Sequence, residues 1–435
     1  MATGVPVQAA NARAGFYGWA LLGAFWLIMF LNLGFPVYGQ AVVSAAMAKT
    51  LGFDRHTLGI IFSVFIAMSG VPGPIVALSV NKLGVRGTLI IGSLLVSVGA
   101  TLMASWVHEP WQAVVALGVI IGAGVVTGSA LASQAGVARW FVRRRALAFS
   151  ILYSAGAIGG FVAAWLLSKI IDYAGGDWRA GWWFMAALSV VALLIAAFTV
   201  KENPADLGQL PDGGMVGESA GAAAAHALRT ASFISKESWT YREAIRTPAY
   251  WMIVLAFVGG SGGVSLILSQ GVSYLMDLGH PRPIAARAIS ILSISGLIAK
   301  VFVATLGDRM DPRYMWAVFV AVFGLGLVLV VDARSYGTLV GFSICIGIGF
   351  GGGIVCLMAV LSNYYGASVF ASLSGLAVAI NTGCSVVAPI VGGWLYDKGY
   401  GYRGTFYTLA VWCFVGALVL FVMRVPRKTP RVSQQ

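Results

Sequence analysis

The sequence predicts an all-α integral membrane protein of twelve transmembrane helices in two pseudo-symmetric six-helix bundles. Of its 435 residues, 59% are hydrophobic and only 10% charged, whereas soluble proteins carry roughly 25% charged residues. The apolar residues gather into runs of about 20 or more, the length a helix needs to cross a hydrocarbon core about 30 Å thick. These runs form two groups, separated by one long polar stretch.

Residues 1–16 are an N-terminal tail. The first apolar run, 17–45, is long enough to span and lacks a small-residue cleavage site, so it reads as a retained helix and not a signal peptide. Further runs at 57–80, 87–107, 112–138, 146–170 and 181–200 complete an N-terminal bundle over 17–200. Residues 201–248 are a polar linker, expected to be flexible up to about Ser235, with an amphipathic helix over 238–248 lying on the membrane. Runs at 249–276, 284–306, 314–332, 336–362, 368–395 and 404–424 make a C-terminal bundle over 249–424, and 425–435 is a tail. Trp106, Trp111, Trp178, Trp182, Trp183 and Trp251 fall at span ends, where indole rings anchor to the interface.

A net charge of +13 would suit a nucleic-acid binder, but the basic residues sit in short clusters between apolar runs, which is how topology is written. With both termini cytoplasmic, about 18 Lys and Arg fall inside and about 9 outside, a bias that fixes the orientation. The expected setting is the plasma membrane, with the lipid bilayer as partner, no nucleic acid, and function as a monomer. Cys345, Cys356, Cys384 and Cys413 all lie inside apolar runs without metal spacing, so neither disulfides nor a metal site is expected. His56, His108, His226 and His280 lie in loops or at span ends. No catalytic constellation can be assembled inside the membrane, so neither enzyme activity nor a cofactor is expected. Gly347, Gly349 and Gly352 formally match GxGxxG, but no strand precedes them. Close helix packing explains them, as it explains Gly118, Gly122, Gly124 and Gly128 in span 4.

The halves repeat each other. Asn81-Lys82-Leu83-Gly84-Val85-Arg86 follows span 2, and Asp308-Arg309-Met310-Asp311-Pro312-Arg313 follows span 8. Arg139-Trp140-Phe141 after span 4 is answered by Asn363-Tyr364-Tyr365 after span 10. Parallel repeats of this kind place a substrate site at the midplane between halves that rock around it. With Phe16-Tyr17-Gly18-Trp19 opening span 1 and Arg139 to Ala148 followed by Ser154-Ala155-Gly156, the chain resembles the major facilitator superfamily. Within it, the resemblance is to the monocarboxylate transporters and the related oxalate/formate exchangers.

Charged groups at the bilayer centre are costly, so one found there is a functional candidate by default. Lys300 lies well inside span 8, eight residues before Asp308. It is read either as a cation pairing with an anionic substrate or as a lysine snorkelling to the interface. The resemblance favours the first, since the monocarboxylate family binds the substrate carboxylate through a span 8 cation, usually arginine. The animal members' acid one turn earlier is Gly296 here, and their span 1 lysine is Val37, so their proton machinery does not carry over. The oxalate exchangers' second cation, in span 11, is absent from Leu373 to Trp394.

Candidate cavity residues are Asn32, Tyr38 and Gln40 in span 1, Ser129 with Ser133 and Gln134 in span 4, and Tyr153 in span 5. The second half offers Ser261, Ser265, Ser269 and Gln270 in span 7, and Asn381 and Ser385 in span 11. Each could equally be packing glue between helices. Lys82, Arg86, Asp308, Arg309 and Arg313, with Arg139, Arg143 and Arg145 after span 4, are read as gating residues. Their hydrogen bonds to helix ends would form in one conformation only, the alternative being that they serve topology alone. The expected function is secondary transport of small organic monocarboxylate anions by alternating access, with protons a candidate co-substrate. Exchange of oxalate-like dicarboxylates and carboxylate sensing without transport remain as alternatives.

Overall fold

The structure, a computed structural model, describes residues 16–53, 55–213, 235, 237–280, 282–307, 309–395 and 402–427. Backbone groups in hydrocarbon must find partners within their own segment, so the apolar runs become helices. Ten stretches are long and apolar enough to cross a membrane. One of them, Ile60–Ser105, is spans 2 and 3 run together through Gly84, and the shorter apolar helix Ile291–Leu306 is the core of span 8. All twelve expected crossings are therefore present.

Span 1 is built of Gly18–Met29, Phe30–Gly39 and Gln40–Leu51, and the middle segment is a π-helix containing Pro36. Proline has no N–H to donate, which fits the wider turn around it. Span 2 begins as Arg55–Met68 and resumes at Gly73 after a turn over residues 69–72. Span 4 passes from Pro110–Ala113 through a π-helix, Val114–Ile121, into Gly122–Gly128, breaks at Ser129, and continues as Ala130–Trp140. The other spans are Arg145–Tyr173, Arg179–Thr199, Pro248–Asp277, Arg282–Leu306, Pro312–Val331, Tyr336–Tyr365, Ala367–Leu395 and Arg403–Val422.

Small residues set the crossings, as expected where lipid supplies no hydrophobic drive between helices. Span 10 lies between spans 8 and 9. Its Gly347 and Gly351 meet the backbone of Leu292 and Gly296 in span 8, and its Gly349 and Gly352 meet Phe323 and Phe319 in span 9. The GxGxxG run is thus a packing surface. In span 4, Gly118 and Gly122 face span 2, and Gly124 and Gly128 face span 3. The two halves meet mainly through spans 2 and 11 and spans 5 and 8, with Gly73 against Gly375 and Gly307 against Ala146.

The first part of the linker is docked and not loose. Glu202 accepts backbone hydrogen bonds from Val85 and Arg86 (2.9 and 2.8 Å), just past Gly84, whose φ of +78° makes the turn. Asp212 accepts from the backbone N–H of Val142 and Arg143, and Gln209 from that of Tyr17. Two carboxylates of residues 201–213 therefore satisfy orphan amides at the starts of spans 3 and 5. At the start of span 9, Asp311 caps its own helix through Arg313 N–H. Residues 214–234 lie outside the described residues. Of the expected helix over 238–248, Tyr241–Ala244 forms a single turn with a Thr240/Glu243 capping box. The side of the molecule carrying these contacts is called the linker face below.

Candidate functional site

Three helices lose regular geometry around one cavity. It has a volume of about 180 Å³ and is lined by Leu33 and Val37 from the π-helix of span 1, Ser69 at the turn of span 2, Ser129 and Gln134 at the break of span 4, and Val378 of span 11. Because spans 1, 2 and 4 belong to one half and span 11 to the other, the cavity lies between the halves. Interrupted helices at such a place are the usual way a transporter frees backbone and side-chain polar groups for a ligand.

The polar residues around it divide by what they bond. Ser129 has φ −139° and ψ −100°, and its Oγ turns back to Val125 O. Asn32 is fully buried and its Nδ2 donates to Ser93 Oγ (2.7 Å) and to Gly128 O (3.0 Å). It thereby serves the carbonyl beside the break and ties span 1 to spans 3 and 4. Gln134 Nε2 donates to Tyr153 Oη at 2.6 Å, joining spans 4 and 5. Among the described residues, Gln134 Oε1, Ser133 Oγ, Asn381 Oδ1, Asn32 Oδ1 and Gln40 Nε2 find no partner. Tyr38 is half-exposed, with its ring packed on Gly160. Ser265 Oγ donates to the backbone Ser385 O (2.7 Å), a bond that joins spans 7 and 11. The side chains of Ser269 and Gln270 lie outside the described residues, as does Asp308.

Lys300 is half-buried on span 8. Leu292, Ser295, Gly296, Ala299 and Val303 form the buried ridge of this helix, while Ile294, Ile298, Val301 and Phe302 are exposed. By helical periodicity, Lys300 falls with Leu297 and Ala304 on the strip beside the buried ridge, away from the centre of the exposed face. Among the described residues it makes no hydrogen bond and no ion pair. It is not among the residues lining the 180 Å³ cavity.

Gly296 has a structural reason for carrying no side chain. A Cβ there would stand 3.1 Å from Gly347 O of span 10. The family's acid at this position would press on a helix crossing. Gly296→Asp is therefore expected to lower stability by about 1–3 kcal/mol through overpacking, without making Lys300 a working partner. Thermal unfolding of the purified variant in detergent checks this, and an unchanged midpoint contradicts it.

At the linker face the halves are locked together. Arg145 is 5% exposed. Its guanidinium donates to Phe141 O (2.9 Å) in its own half, and to Ser362 O (2.8 Å) and Asn363 Oδ1 (3.0 Å) in the other. Ser235 N–H of the linker reaches Asn363 O at 2.9 Å, Asn81 donates to Ser372 (2.9 Å), and Phe149 stacks with Phe370. The hydrogen bonds of Arg145 and Asn81 that join the two halves all lie on this face.

The other basic candidates are placed differently. Arg139 pairs with Glu202 at 2.9 Å inside the N-terminal half. Arg313 folds onto Asp311 (3.0 Å), Met423 O and Tyr314. Burial pushes the Asp311 carboxyl above the usual carboxylate range, against the pull of Arg313. Lys82, Arg86, Arg143 and Arg309 are exposed. Asn363, Glu202 and Asp212 were not singled out by sequence. The only signal was that Asn363 opens the Asn-Tyr-Tyr run answering Arg-Trp-Phe in the other half.

Residues 21–331 and 277–435 match the Major Facilitator Superfamily. The chain belongs to that superfamily. Among its relatives, monocarboxylate transporter 3 of Rattus norvegicus is 27% identical over 421 residues, covering 94% of this chain and 80% of the relative. The gentisate transporter of Corynebacterium glutamicum is 23% identical over 428 residues, covering 96% and 89%. Of solved structures, the proton:xylose symporter XylE superposes with a TM-score of 0.72 at 15% identity, over 94% of this chain and 96% of that one. The human organic anion transporter MFSD10 gives 0.70 at 13%, over 93% and 99%. As a superfamily member the protein is an integral membrane secondary transporter of a small molecule, and not an enzyme.

Proposed function

We propose that this major facilitator protein carries small organic monocarboxylates across the plasma membrane by alternating access, with both termini cytoplasmic. The observation that supports this most is Lys300: a cation deep in span 8, beside the buried ridge, with no protein counter-ion among the described residues. A carboxylate entering the membrane gives up water and needs such a charge. The several relatives named monocarboxylate transporters, at 23–27% identity, point the same way. With the linker face in the cytoplasm, the lock at Arg145 makes this the state closed to the inside.

A second carboxylate on the substrate would find no matching cation, since Leu373 to Trp394 hold none. Among the described residues no acid lies well inside a span, so a coupled proton travels on Lys300 or on the substrate. The test is uptake into proteoliposomes of labelled mono- and dicarboxylates, with and without an imposed pH gradient. Monoanions are expected to win, with uptake stimulated by an inward proton gradient. Preference for dianions, or counterflow that needs internal anion and ignores pH, overturns the reading.

A further inference from the structure

A second pocket, of about 370 Å³, opens at the linker face between the ends of spans 7 and 12. Thr247, Pro248 and Met252 line it at the start of span 7, and Met423, Arg424 and Arg427 line it where the chain leaves span 12. That exit is pinned. Met423 O accepts from Arg313 of span 9, and Met423 and Pro426 are buried, while Arg424 and Arg427 are exposed. Among the described residues neither guanidinium makes a hydrogen bond or an ion pair, in contrast to Arg139, Arg145 and Arg313. Arg246, also exposed, adds a positive charge next to Thr247. Two acids near the pocket are already engaged, Asp311 by Arg313 and Glu243 by the Thr240 capping box.

Basic pockets between membrane helices at the lipid headgroup level suit anionic headgroups. The flanking surface suits the rest of a lipid: Trp251 and Leu255 on span 7, and Leu418 and Val422 on span 12, are exposed. We propose that this pocket holds the phosphodiester of an anionic phospholipid from the leaflet at the linker face. Arg424 and Arg427 meet the phosphate, and the acyl chains follow the apolar seam of spans 7 and 12. A free phosphate would use the arginines and leave that seam uncovered. Neither the transported substrate nor the orientation in the membrane enters this inference, so it stands or falls apart from the proposed function.

Binding of a fluorescent phosphatidylglycerol to the full chain purified in detergent tests this, with unlabelled phosphatidylglycerol, phosphatidylcholine and glycerol phosphate as competitors. Wild type is expected to prefer phosphatidylglycerol to phosphatidylcholine, and glycerol phosphate is expected not to compete at the same concentrations. An arginine beside an anionic lipid contributes about fivefold in affinity, so Arg424→Gln/Arg427→Gln is expected to bind about 25-fold more weakly. Arg144→Gln/Lys201→Gln removes the same charge from exposed positions of the N-terminal half and the docked linker, and is expected to bind within about twofold of wild type. Unchanged binding in the first pair, or equal weakening in the second, overturns the site. Equal competition by phosphatidylcholine overturns the role of charge, and equal competition by glycerol phosphate overturns the lipid in favour of a soluble phosphate. Thermal unfolding without lipid checks that both pairs fold; if the first does not, Arg427→Gln alone is read for its fivefold loss, and wild-type binding there overturns the proposal.

Discussion

Lys300→Ala abolishes monocarboxylate transport while leaving expression and membrane insertion normal. Charge-assisted hydrogen bonds to a carboxylate are worth on the order of 2 kcal/mol or more, so losing them weakens binding by tens of fold at least. Removing a charge from a membrane helix does not harm insertion, which separates a lost site from a lost fold. Lys300→Arg keeps part of the activity, because the charge survives but a planar fork replaces a compact ammonium. Initial rates in proteoliposomes, normalised to reconstituted protein, read all three outcomes. Wild-type rates in Lys300→Ala would mean that the ammonium merely snorkels to the interface.

Arg145→Ala shifts the molecule towards the state open at the linker face. Two of the Arg145 hydrogen bonds cross between the halves, to Ser362 O and Asn363 Oδ1. Bonds to a charged group contribute about 1.5–3 kcal/mol each. Loss of about 3 kcal/mol of differential stabilisation moves a two-state equilibrium by roughly a hundredfold. Turnover falls because the return to the locked state becomes the slow step. Arg145→Lys falls between. It keeps one charged nitrogen for the Ser362 and Asn363 acceptors, which Nη1 alone serves in the wild type, but loses the Nε bond to Phe141 O that holds the side chain in place. Arg86→Ala and Arg309→Ala remove exposed side chains, so they slow transport much less and leave affinity within a few fold. Thiol labelling from the linker side, at a cysteine placed at Phe370 in a background lacking the four native cysteines, reads the shift directly. Equal labelling in wild type and Arg145→Ala would show that the lock does not control opening.

Most of the fold was legible because membrane insertion writes itself locally: apolar length sets the spans and basic loops set the topology. The helix breaks were less visible. Pro36 signals its own disturbance, but the Gly128-Ser129 pair is one of many small-residue steps in span 4, and the partner that serves the Gly128 carbonyl, Asn32, lies 96 residues away. Gly296 read as a missing acid, and only its contact with Gly347 shows it to be a crossing point. Arg145 could not be ranked above the other loop cations, since its partner Asn363 lies 218 residues along the chain. The docking of Glu202 and Asp212 was hidden by a linker composition that favours disorder.

The most direct test of the central claim is an equilibrium titration of purified protein with a monocarboxylate, because binding is read apart from turnover and gating. Wild type and Arg86→Ala are expected to bind with dissociation constants within a few fold of each other, and Lys300→Ala at least tens of fold more weakly. Equal affinity in wild type and Lys300→Ala would contradict the assignment of Lys300 as the substrate's charge contact.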